Sequence, residues 1–242
     1  MQKLFTYAVI FLLSACSQRP LPAQNHSPPT SSKALAESRV KLGLAYLKKG
    51  QFLKARENLW KANEYDPTSL YVQLARAHYF ELVGNLNQAD STYRTALAQK
   101  PNNGHVLNNY GTFLCKQDQY VLANQYLKSA IKQPGFLLIA AGYENAALCA
   151  LKAGDKSSAK IDFSQALIHD PSRLTSLVNL ARLDFEQNET LQAESLLVTY
   201  HQNYGFKRPT LQLLIEVERA LAHPILVEKY TKLLVTMHDE RS

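Results

Sequence analysis

The sequence predicts an all-α fold, a right-handed superhelical solenoid of about six helix pairs. Three observations predict it. Small residues recur at a fixed period: Gly50 to Gly84, Ala55 to Ala89, Ala62 to Ala96 and Pro67 to Pro101 are each 34 residues apart. Within a unit the apolar residues keep helical spacing, with Val40, Leu44 and Leu47 at i, i+4 and i+7. Residues that tolerate a left-handed backbone mark the turns, reading Gly50, Gly84, Asp118, Gly154 and Asn188 through five units. A helix pair that cannot bury its apolar stripe alone buries it against the next pair, which gives a layered core along the chain.

The chain opens on a different pattern. Lys3 supplies a positive start and Leu4 to Leu13 a short apolar run. That run is too short for a membrane-spanning helix, which needs about 20 apolar residues, and fits a signal peptide. Leu13-Ser14-Ala15-Cys16 follows and resembles the bacterial lipobox. The resemblance implies cleavage after residue 15 and lipidation of Cys16; the alternative is an ordinary secretory signal. Acyl chains stabilise membrane attachment by about 0.8 kcal/mol per buried methylene. Residue 17 is Ser rather than the Asp of lipoproteins kept at the inner membrane, so the expected location is the periplasmic face of the outer membrane. Residues 16–33 hold Pro20, Pro22, Pro28 and Pro29 among polar residues, which reads as a flexible tether behind the lipidated cysteine.

The repeat domain is expected over 34–242, with units at 36–69, 70–103, 104–137, 140–173 and 174–207 and a degenerate pair at 208–238. In the first unit helix A is expected over about 36–49 and helix B over about 53–66. The frame slips once. The helix-B alanines Ala55, Ala89, Ala123, Ala159 and Ala193 are separated by 34, 34, 36 and 34, which puts two extra residues near Pro134 to Ile139. The last pair is expected to turn near His223-Pro224, and its departure from the pattern suits an end unit with no following neighbour. This spacing resembles the tetratricopeptide repeat family over about residues 36–238.

That resemblance implies a concave face lined by the first helix of each pair. It places Val40, Leu44 and Leu47 of the first unit there, with Tyr71, Leu74 and His78 of the second. Asn109, Asn145 and Asn179 share one offset in units three to five. Each side-chain amide carries donors and an acceptor, so they either form a ladder for an extended peptide backbone or bridge helices internally. The apolar set suits hydrophobic side chains of a protein partner, and the alternative is ordinary packing.

Cys115 and Cys149 fall in equivalent helices of adjacent units. An exported protein permits a disulfide between them, and two separate buried thiols are the other reading. No metal site is read: these cysteines have no paired histidines, and the seven histidines are dispersed. No phosphate loop, H-E-x-x-H or nucleophile elbow occurs, so no catalytic residue, cofactor or small-molecule substrate is expected. The formal charge is +7 from scattered lysines, with no dense basic run beside stacking aromatics, which argues against nucleic-acid binding.

Asn108-Asn109-Tyr110-Gly111-Thr112-Phe113-Leu114-Cys115 and Tyr143-Glu144-Asn145-Ala146-Ala147-Leu148-Cys149, together with the lipobox and six helix pairs, resemble the type IV pilus biogenesis and stability lipoprotein family. The resemblance implies a non-catalytic outer-membrane adaptor, a pilotin. Such an adaptor binds subunits of the pilus secretin and promotes their localisation and assembly. The rival expectation is an envelope scaffold lipoprotein of β-barrel assembly or of a cell-wall hydrolase complex.

Overall fold

The computed structural model describes residues 31–239; Cys16 and residues 17–30 of the expected tether lie outside the described residues. Twelve helices follow one another, and no strand occurs among the described residues. They pair as α1 (Ser32–Lys48) with α2 (Phe52–Tyr65), α3 (Leu70–Leu82) with α4 (Leu86–Gln99), and α5 (Gly104–Lys116) with α6 (Tyr120–Ile131). Then come α7 (Ile139–Lys152) with α8 (Lys156–His169), α9 (Leu174–Glu186) with α10 (Thr190–Tyr204), and α11 (Arg208–Ala220) with α12 (Pro224–Asp239). α1 starts four residues before the expected boundary. Ser31 caps it by accepting from the Ala34 N–H, so the end of the segment read as tether is helix.

Every pair closes in the same way. Gly50, Gly84, Asp118, Gly154, Asn188 and Ala222 all have positive φ, from 58° to 81°. The residue after each donates its N–H to the carbonyl five residues back: Gln51 to Tyr46, Asn85 to Phe80, Gln119 to Leu114, Asp155 to Ala150, Glu189 to Asp184 and His223 to Glu218. This left-handed cap satisfies a carbonyl that the helix end would otherwise leave open. Ala222 is the one alanine in the series.

Small residues let the helices of a pair meet. Ala55, Ala89, Ala123, Ala159 and Ala193 are all fully buried in the second helices, facing Gly43, Ala77, Gly111, Ala147 and Ala181 in the first. A Cβ at Gly43 would lie 2.7 Å from Leu59, and one at Gly111 would lie 2.8 Å from Leu127. Larger side chains, among them Leu59, Tyr93, Leu127, Phe163 and Leu197, fill the space beside these contacts. The frame slip becomes a loop over 132–138. Phe136 turns inward there, 3% exposed, into room left by Gly104 and Gly142; a Cβ at either glycine would approach its ring to under 3 Å.

First helices of adjacent pairs also pack on one another, α1 on α3, α3 on α5, α5 on α7 and α9 on α11. Cys115 of α5 and Cys149 of α7 form a disulfide across one such contact, with Cα atoms 5.8 Å apart, inside the range that a bridge requires. Ion pairs also join neighbouring pairs: Arg173, just before α9, meets Glu144 of α7 at 2.6 Å, and Arg182 of α9 meets Glu216 of α11 at 2.7 Å.

Candidate partner-binding groove

The row of first helices leaves a groove of about 520 Å³ near the N-terminal end. Leu44 of α1 forms one edge. Leu70, Tyr71, Leu74, Ala75 and His78 of α3 form the floor, and Asn103, His105 and Asn109 form the far edge. The helical register explains this lining. At about 100° per residue, Leu44 stands about 40° from Val40 in one direction and Leu47 about 20° in the other. Val40 and Leu47 therefore share a stripe that α2 and α3 cover, while Leu44 reaches the rim.

The expectation that Val40 and Leu47 line the concave surface is corrected accordingly. They are 0% and 6% exposed and belong to the core that runs through the first pairs. Leu44, Tyr71, Leu74, His78 and Asn109 do come together in the groove. Asn145 and Asn179 do not line it. Asn145 donates to Asn108 Oδ1 at 3.1 Å and so bridges α7 to α5, whereas Asn179 donates to the Thr175 carbonyl of its own helix at 2.8 Å. Asn109 likewise donates to the His105 carbonyl at 2.8 Å. Of the three, only Asn145 bridges helices; Asn109 and Asn179 each spend one amide N–H on their own helix and keep a second N–H and the side-chain oxygen.

Leu70, Ala75, Asn103 and His105 are the lining residues that motif reading passed over. A signal for one was present: His105 holds in α5 the offset that Tyr71 holds in α3, since 105 − 71 = 34. Asn103 is fixed because its side chain caps α5, accepting from the His105 and Val106 N–H groups at 3.0 and 3.1 Å. His105 stands edge-on to Phe136, with ring centroids 5.3 Å apart, so the two-residue insertion buttresses the groove wall.

No Asp, Glu, Lys or Arg lines this surface. Burial of His78 favours the neutral ring and holds its pKa below the ordinary imidazole value, although the charge of Glu81 pulls the other way. An apolar floor with amide and imidazole edges suits apolar side chains of a protein segment, with a few hydrogen bonds to fix their orientation.

No family model matches the chain. The type IV pilus assembly protein PilF of Pseudomonas aeruginosa is 30% identical over 215 residues, covering 88% of this chain and 85% of that protein. The solved structure from a functional characterization of P. aeruginosa PilF superimposes with a TM-score of 0.72 at 28% identity, over 86% of this chain and 94% of that one. PilW, described as a widely conserved type IV pilus biogenesis factor, shares the fold with a TM-score of 0.69 at 21% identity, over 82% of this chain and 91% of its own. Identity at this level across most of both chains, on a scaffold of six capped helix pairs, means that this chain belongs to the PilF family of tetratricopeptide-type proteins of type IV pilus biogenesis.

Proposed function

We propose that the protein is a lipid-anchored pilotin, a non-catalytic adaptor at the periplasmic face of the outer membrane that binds pilus secretin subunits and promotes their assembly there. The observation that carries the reading is the uncharged, apolar groove between α1, α3 and α5, a surface shaped for protein side chains within a pilus-assembly family. Cys16 would carry the acyl chains, and the residues after it would hold the repeats off the bilayer. The mechanism that follows from this arrangement is positional. A secretin subunit held in the groove travels with the lipoprotein, and confinement to one membrane raises its effective concentration for ring closure.

The test is an unboiled immunoblot of the secretin from separated inner and outer membranes. A deletion strain should lose heat-resistant outer-membrane multimers. The intact gene should restore them, and Cys16→Ala should not. Leu74→Glu should also fail to restore them while keeping normal helicity, because a carboxylate would be desolvated on the groove floor whenever a partner docks. Normal multimers in the deletion strain would overturn the pilotin reading and favour an envelope scaffold of β-barrel assembly or of a cell-wall hydrolase complex.

A further inference from the structure

The repeat frame exposes a second site at the C-terminal end. Lys160 of α8 places its ammonium between two carboxylates, 2.9 Å from Asp184 of α9 and in direct contact with Glu189 in the turn before α10. Adding 34 to each of these positions gives Glu194, Glu218 and His223 (160 + 34, 184 + 34 and 189 + 34). The same three places are thus filled one pair later, with the lysine replaced by an acid and one acid by an imidazole. The trio is assembled in space as well: one ligand atom from each residue lies within 4.8 Å of the others. Glu218 is fully buried, its Oε1 has no hydrogen-bond partner, and its Oε2 meets His223 Nδ1 at 2.8 Å.

A buried carboxylate needs a compensating positive charge, and the preceding pair supplies one as an ammonium. We propose that here the charge is a divalent transition-metal ion, held by Glu194, Glu218 and His223. One imidazole nitrogen with two carboxylate oxygens favours a first-row ion such as Zn²⁺ over Mg²⁺ or Ca²⁺, which take all-oxygen shells. His223 remains 45% exposed and lines a surface cavity of about 510 Å³, so this ligand is reachable from solvent. The three residues belong to α10, α11 and the turn before α12. The ion would therefore clip the terminal pair to its neighbour, a role independent of what the groove binds.

The test uses the full chain in detergent with Cys16→Ala, stripped with chelator and titrated with ZnCl₂ or MgCl₂ while melting is followed. Zinc at about 100 times its Kd should raise the melting temperature by about 5 °C or more, and magnesium should not. His223→Ala should weaken zinc binding tenfold or more. Glu194→Lys places the ammonium of the preceding pair beside Glu218, so it should fold normally and lose the zinc response. A wild-type protein indifferent to zinc overturns the proposal. So does an equal rise in both variants, which would assign the ion to scattered surface histidines.

Discussion

Where α1, α3, α5, α7 and α9 carry Gly43, Ala77, Gly111, Ala147 and Ala181 at the helix crossing, α11 carries Ile215. Where α2 to α10 carry alanine, α12 carries Val227. The early pairs meet through close backbone approach and leave a groove along α3. The last pair carries larger side chains at these two offsets, and the core about it is filled by Leu211, Leu213, Leu214 and Val217, all fully buried. One backbone frame thus supports two kinds of interior. Side-chain size at two offsets sets which interior a pair builds on that frame.

The comparison can be broken in several ways. The largest effect should come from Cys149→Ser, which opens the α5–α7 bridge and should cost about 2–4 kcal/mol in denaturant unfolding. Hydrogen exchange should quicken in α5 to α7 and stay unchanged in α11; an equal rise in both would mean that the two ends share one cooperative core. Next, Ala89→Leu should overpack a fully buried crossing and cost about 1–3 kcal/mol. Val227→Leu, at the matching offset of the last pair where the side chain is only partly buried, should cost under about 1 kcal/mol. Equal costs in thermal melts would erase the distinction drawn here. The smallest effects concern the turns. Gly84→Ala should lose about 1 kcal/mol, because its φ of 76° penalises a side chain. Ala222→Gly should recover up to about 1 kcal/mol from a φ of 58°, after the entropy glycine adds to the unfolded chain is subtracted. A lower midpoint for Ala222→Gly would show that the neighbouring Glu218–His223 contact, rather than the backbone, governs that turn.

Much of this molecule is legible in its sequence because a repeat states each rule several times. The turn residues Gly50, Gly84, Asp118, Gly154 and Asn188 sit where a left-handed backbone is required, and the buried alanines keep their 34-residue period on either side of the slip. The groove was legible only in part. Val40, Leu44 and Leu47 share a helical face in one dimension, yet two of them are buried, because a stripe of about 60° spans both the packed and the open side of α1. The metal triad lay in the same frame, in residues 34 beyond Lys160, Asp184 and Glu189, but dispersed histidines gave no reason to align them.

The sequence by itself determined the helix pairs, their turns and their close crossings, since these rest on local backbone preference and on the volume available at a fixed offset. Only the tertiary structure decided which apolar residues face a neighbour and which face the groove. It also decided that Phe136 fills the space beside Gly104 and Gly142, and that Glu194, Glu218 and His223 come together. Those outcomes depend on what the adjacent pair presents, a relation across residues that periodicity along one chain does not encode.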